Sequence, residues 1–352
     1  LPTIEYALKK GASVILGSHL GRPKGEVDPK YSLEPVGAVL AGKLGREVLL
    51  ADSAVGDSAA KLASELKDGQ VLLLENLRFN PGEKKNNDQF AKELAALADV
   101  YINDAFGTAH RAHASTAGMA NYFEYKAAGF LLKKEVDFFE RLLKAPEKPF
   151  CAILGGAKVT DKVGVIKNLM ERVNSILIGG AMANTFLAAT GVNMGSSRIE
   201  EDKLGLCREL IDAAAARNID LLLPVDLVVA DSLDATEIST VTLKEGVPEG
   251  LMALDIGPET RAAFAQNVQQ AATIFWNGPM GVFENPVLAQ GTLAVAESVA
   301  ASEAISVVGG GDSVAAIGVA GVTDKISHVS TGGGASLEMM EGKNLPGIMA
   351  LL

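Results

Sequence analysis

One unit recurs along this chain and limits what it can fold into: a short apolar run, a glycine-bearing or charged turn, then a helical stretch. The clearest copy is Phe150-Cys151-Ala152-Ile153-Leu154 running into Gly155-Gly156-Ala157-Lys158-Val159-Thr160-Asp161-Lys162. An apolar run without alternation is the pattern of a strand buried on both faces, as in a parallel sheet. Similar runs fall at 13–16, 48–50, 71–74 and 100–102, and again at 175–178, 220–223, 273–276, 305–308 and 326–329. About ten such units are too many for one eight-stranded barrel. They predict an α/β chain with two doubly wound parallel sheets, helices on both faces. Ligands of such sheets bind beyond the carboxyl ends of the strands, which is where the chemically loaded residues fall here.

The length of 352 residues allows two domains. No apolar run approaches the roughly 20 residues that span a bilayer, and residues 1–20 lack the ordered blocks of a signal peptide. Two cysteines, Cys151 and Cys207, are too few for a disulfide framework, so a reducing, cytoplasmic setting is expected. The net charge of −11 is unevenly spread. Residues 1–150 hold 20 Lys+Arg and 20 Asp+Glu, whereas 151–352 hold 12 and 23. Neither half has the basic surplus of a nucleic-acid binder. In the neutral half His19, His110 and His113 lie near arginines in sequence, which suits a small polyanion. An amphipathic segment at 129–144, broken by Ala145-Pro146-Glu147-Lys148-Pro149, marks the expected domain boundary.

The strand after 149 ends in two glycines and two lysines. Glycines let a ligand approach the backbone. On a helix Lys158 and Lys162 would share one face, and a helix N-terminus favours a phosphate. The competing reading is a helix-opening loop with solvated lysines. Gly37-x4-Gly42-Lys43 matches most of a phosphate-loop motif, but Leu44 lacks the Mg²⁺-binding hydroxyl and no strand precedes it. His19, Arg22, Arg78, His110 and Arg111 all fall at strand ends of the first half. Any one arginine is more simply paired with a nearby acid, yet together they point to a shared anion pocket. His113 and His328 read as structural or surface residues. Gly309-Gly310-Gly311-Asp312-Ser313 offers backbone N–H groups to a phosphate and a hard oxygen ligand to Mg²⁺, although Asp312 could equally cap a helix. Trp276 reads as core, while the stretch from Asn277 to Glu284 suits a base and a ribose. No G-x-G-x-x-G followed by an acid is present, which disfavours a nicotinamide-dependent dehydrogenase. A two-domain solute-binding protein is the other rival, but it needs no lysine pair over a Mg²⁺ site.

Together Ser18-His19-Leu20-Gly21-Arg22-Pro23, Glu75-Asn76-Leu77-Arg78-Phe79, Asn103-Asp104-Ala105-Phe106-Gly107-Thr108-Ala109-His110-Arg111, Gly155-Gly156-Ala157-Lys158, Trp276-Asn277-Gly278-Pro279-Met280-Gly281 and Gly309-Gly310-Gly311-Asp312 resemble the phosphoglycerate kinase family. The resemblance spans essentially the whole chain in order. It implies Rossmann-like domains and Mg²⁺-dependent, reversible phosphoryl transfer between 1,3-bisphosphoglycerate and ADP, giving 3-phosphoglycerate and ATP. By motif it implies a 3-phosphoglycerate site at His19, Arg22, Arg78 and Arg111, with His110 adjacent. It implies nucleotide contacts from Gly156, Ala157, Lys158, Lys162, Gly179, Gly180, Leu254, Asn277, Pro279, Gly281, Val282, Glu284, Gly309, Gly310, Gly311, Asp312 and Ser313. Lys158 and Arg111 would be catalytic and Asp312 the metal ligand. The implied domains are 1–128 with a returning tail at 338–352, a helix and linker at 129–149, and 150–337, closing on a hinge. A monomer without nucleic-acid or membrane partners is expected. The resemblance also implies a preceding strand with an Asp-x-Asn pair and a further catalytic arginine. The expectation is therefore a chain short of roughly one β-α unit, with impaired turnover.

Overall fold

Strands and helices alternate along most of the chain, as the recurring apolar runs require. The computed structural model describes Leu1–Leu352. The chain divides into two units, Leu1–Val136 with Asn344–Leu352, and Asp137–Lys343. The division falls inside one helix, Phe130–Lys144.

In the first unit β1 (Val14–Leu16), β2 (Val48–Leu50) and β3 (Val71–Leu73) form a three-stranded sheet in the order β1-β3-β2. Both pairings are parallel, and Val14 and Val48 each lie opposite Val71. The helices Glu34–Leu44 and Asp57–Glu65 follow β1 and β2 in sequence. The first of these helices stops at Gly45, whose left-handed φ of 61° suits a residue without Cβ. Central β3 is wholly buried, and its continuation Leu74 joins Leu72, Leu77, Phe90 and Leu94 in one core. A separate parallel pair joins β4 (Val100–Asn103) to β5 (Tyr125–Ala128). The last residues close this unit: Gly347 N–H donates to Ala109 O at 2.8 Å. A Cβ on Gly347 would sit 2.9 Å from Ala109 Cα, so the tail seats only with glycine there.

The second unit contains β6 (Phe150–Leu154), β7 (Ser175–Ile178), β8 (Asp220–Leu222), β9 (Asp226–Ala230), β10 (Ser239–Thr242), β11 (Met252–Ile256), β12 (Thr273–Asn277), β13 (Ile305–Gly309) and β14 (His328–Val329). Six of them form a parallel sheet in the order β14-β13-β12-β6-β7-β8. β6, β7 and β12 are buried at every position, as their unbroken apolar runs require. Trp276 is fully buried and its indole N–H donates to Gly278 O at 2.8 Å, so it belongs to the core as expected. One element goes beyond the expected parallel sheets. β9, β10 and β11 form an antiparallel sheet, with β9 central. Its register shifts between Ala253 and Asp255, which leaves Leu254 at a bulge.

Candidate active site

In the second unit the carboxyl ends of β6, β7 and β12 are stitched into a glycine seam. Gly155 N–H donates to Asn277 O at 3.0 Å, Gly156 N–H to Pro279 O at 3.0 Å, and Gly180 N–H to Met280 O at 2.8 Å. The strand ends meet so closely that side chains cannot enter. A Cβ on Gly155 would lie 2.1 Å from Pro279 O, and one on Gly180, at φ +67°, 2.5 Å from Gly156 N. Gly179 is also closed in, with a would-be Cβ 2.4 Å from Met280 Sδ. Gly156 and Gly311, by contrast, face open space.

Lys162 is buried at this seam, and its ammonium donates to Asn277 Oδ1. Asn277 Nδ2 in turn donates to Gly309 O at 2.8 Å, so the side chain bridges β12 and β13. Burial pushes the Lys162 pKa down to about 8, against the opposing pull of Asp161, Asp312 and Glu341. Asp312 therefore lies within electrostatic range of this ammonium. It is exposed in the first turn of the helix Gly311–Val319, and the N-cap is Gly310 rather than Asp312. Ser313 is buried, and its hydroxyl accepts the Gly278 N–H at 2.6 Å.

The shared helix face expected for Lys158 and Lys162 is not observed. The helix is Val163–Leu169, so both lysines precede it, Lys162 as its N-cap residue. Lys158 is exposed in the loop and Lys162 buried. Tertiary hydrogen bonds fix this loop: Glu200 Oε2 accepts the Val159 N–H at 2.5 Å and Oε1 the Thr160 hydroxyl at 2.7 Å. Leu254 is buried at the bulge of β11, while Glu284 is exposed. Next to Leu254 stands a buried carboxyl that sequence reasoning missed. Asp255 Oδ2 accepts the Gly291 N–H at 2.6 Å, and burial pushes its pKa up to about 7. Glycine at 281 and 291 makes room for this carboxyl, because a Cβ at either would lie within 2.4 Å of Oδ1.

In the first unit Asn76 is the organiser. Fully buried, it accepts N–H bonds from Leu20 at 3.3 Å and Arg78 at 3.0 Å, and donates to Leu20 O at 2.7 Å and Tyr31 O at 2.9 Å. It thereby fixes the loop after β1 against the turn after β3. Glu75 braces it by accepting from Ser32 Oγ at 2.7 Å and Leu33 N at 2.8 Å. Arg78 donates to Gly21 O at 2.8 Å. Burial and the neighbouring charges of Arg111 and Arg22 lower the Arg78 pKa, which places the three guanidinium groups in one field. Arg111 Nε donates to His110 Nε2 at 3.1 Å, so His110 orients that arginine.

The residue sequence reasoning missed here is Glu83. It is fully buried and accepts from His19 Nε2 at 2.7 Å, Ser115 Oγ at 2.6 Å and Ser115 N at 3.1 Å. Burial pushes its carboxyl up, but the bonds from His19 and Ser115 outweigh that and hold it below the usual range. His113, read from sequence as structural or surface, is buried with Nδ1 3.7 Å from the same carboxylate. Burial holds its pKa down against the Glu83 charge. The structure thus sets His19 against one buried carboxylate, Glu83, whose charge also reaches Arg78, and Arg22 and Arg111 act in turn on the charge of Arg78.

Fold and site define a two-unit α/β protein with arginines that act on one another's charge at strand ends of one unit and a glycine and lysine seam at strand ends of the other. The family model described as Phosphoglycerate kinase matches residues 1–343. A phosphoglycerate kinase of Anaeromyxobacter sp. (strain Fw109-5) is 56% identical over 353 residues, covering 100% of this chain and 89% of that protein. One from Moorella thermoacetica is 56% identical over 351 residues, with the same two coverages. The solved structure of phosphoglycerate kinase from Coxiella burnetii superposes with a TM-score of 0.89 at 44% identity, covering 99% of this chain and 88% of that one. This chain belongs to the phosphoglycerate kinase family.

Proposed function

We infer that the chain carries out the family's reaction, reversible phosphoryl transfer between 1,3-bisphosphoglycerate and ADP, with 3-phosphoglycerate bound by the first unit and nucleotide by the second. The observation that supports this division is the contrast between the sites. Arg22, Arg78 and Arg111 share one field in the first unit, whereas the second offers Lys158, buried Lys162 and closely apposed glycine backbone. Guanidinium groups suit bidentate recognition of carboxylate and phosphate. Ammonium groups and open backbone suit a polyphosphate.

Phosphoryl transfer leaves the protein little covalent chemistry, so positioning and charge stabilisation carry the rate. His19 and the three arginines hold the acceptor anion, and His110 aims Arg111. Lys162 and Asn277 fix the phosphate side of the nucleotide, while Gly179, Gly180, Leu254, Pro279, Gly281 and Val282 border its base and Glu284 its ribose. Gly309, Gly310 and Gly311 offer backbone next to Asp312. Exposed Lys158 is left free to meet the transferring group. Asp312 is an exposed carboxylate close to these groups, a fit for Mg²⁺, which takes one or two carboxylates together with substrate phosphates. Mg²⁺ bound there would neutralise phosphate charge.

The test is Lys158→Ala in a coupled phosphoryl-transfer assay. It should lower kcat by about 10²-fold or more with a smaller change in nucleotide affinity. A kcat within about threefold of the parent, with KM raised, would make Lys158 a ground-state anchor only.

A further inference from the structure

Lys158 has no helix to hold it, since regular structure resumes only at Val163. Two anchors remain. Val159 is fully buried. Glu200 closes over the backbone at 159 and 160: Oε2 accepts the Val159 N–H at 2.5 Å and the Thr160 N–H at 3.4 Å, and Oε1 accepts the Thr160 hydroxyl at 2.7 Å. Its own backbone N–H donates to Thr185 Oγ1 at 3.1 Å. Thr185 is buried in the helix Gly180–Ala189, which opens at the glycine seam. One carboxylate therefore ties the residues next to Lys158 to the frame of the phosphate site.

A carboxylate is an unfavourable neighbour for a polyphosphate, because like charges repel through a medium less polarisable than water. What it offers in exchange is acceptor capacity. Two oxygens with about four lone-pair sites take up all three donors at once, and charge-assisted bonds to N–H groups are roughly twice as strong as neutral ones. That combination belongs to a device for holding backbone still.

We propose that Glu200 is a positioning residue for phosphoryl transfer, fixing the loop beside Lys158 so that its ammonium meets the transferring group in one place. This rests on Lys158 being the lysine at the transferring group. Misplacement by about 1 Å can cost on the order of 10²-fold in rate. Glu200→Ala should therefore lower kcat by roughly 10- to 100-fold while the calorimetric Kd for ADP stays within about threefold. Glu200→Gln keeps an acceptor for Val159 and should recover most of the rate. Glu200→Asp, one methylene shorter, should not. Where Glu200→Ala fails to fold, Thr160→Val removes one of the three bonds and should show a smaller loss in kcat at unchanged ADP affinity.

The discriminating measurement is a double-mutant cycle with Lys158→Ala. A residue that acts through Lys158 has little left to lose once Lys158 is gone, so the double variant should be about as slow as Lys158→Ala alone. A Glu200→Ala effect that persists undiminished in that background overturns the proposal. So does a folded Glu200→Ala enzyme with parental kcat beside a crippled Lys158→Ala. If Lys158→Ala alone keeps its kcat, the assignment of Lys158 fails, and the proposal falls with it.

Discussion

Lys162 is the residue whose environment most restricts how the protein behaves with pH. Its folded pKa of about 8 lies below the ordinary 10.5 because burial penalises the ammonium. The penalty is fully present below about 8 and is relieved as pH rises from there towards 10.5. A bound phosphate reverses the balance by supplying a counter-charge. Nucleotide binding should therefore take up a proton above pH 8, and ADP affinity should fall roughly tenfold between pH 7 and 9. Titration calorimetry in buffers of different ionisation enthalpy measures both effects, and Lys162→Met should flatten the profile. The role proposed for Lys162, a phosphate lysine, was legible because it comes after a buried strand and two glycines. Glu83 was not. It sits in Pro81-Gly82-Glu83-Lys84-Lys85, a stretch whose local pattern is that of a solvated turn. The side chains that hydrogen-bond it, His19 and Ser115, are distant in sequence. Asp255 was hidden for a similar reason, since the glycines that make room for it are 26 and 36 positions further along the chain.

The glycine seam is the element that holds the strand ends of the second unit together, and it can be tested by adding single methyl groups. Gly155→Ala forces a Cβ to 2.1 Å from a backbone oxygen, Pro279 O, that cannot swing aside. We expect it to cost about 3 kcal/mol or more, read as a lower denaturant midpoint. Gly311→Ala, whose Cβ meets nothing within 4 Å, should stay within about 0.5 kcal/mol of the parent. The parallel strands were legible because a strand buried on both faces writes itself as an unbroken apolar run. The antiparallel sheet was not, because β10 (Ser239–Thr242) is polar and mostly exposed and carries no such run. Of the two readings of residues 158–162, a helical lysine face and a helix-opening loop, the helical one fails because i,i+4 spacing speaks only of local geometry, while the loop holds with Lys158 solvated and Lys162 buried. There the carboxylate of Glu200 outcompetes the helix.

Across the whole molecule the two units should answer to different ligands. In hydrogen exchange ADP should slow residues 155–162, 277–280 and 309–313, and 3-phosphoglycerate should slow 18–22, 76–79 and 110–115. Protection by ADP confined to the first unit would reverse the assignment. The two-unit α/β plan was legible from the repeating strand pattern, but the route of the last residues came from family likeness alone, because no periodicity marks it. That route has a consequence during translation. Asn344–Leu352 belongs to the first unit, yet all of Asp137–Lys343 is made in between. The ribosome thus delivers one unit in two pieces and the other without a break. At about 5–20 residues per second the first piece waits roughly 10 to 40 seconds for its closing segment. Through that interval the Ala109 carbonyl lacks the amide of Gly347 that will later cover it. The second unit can finish first, and the half-made partner emerging ahead of it is the species a nascent-chain chaperone would meet.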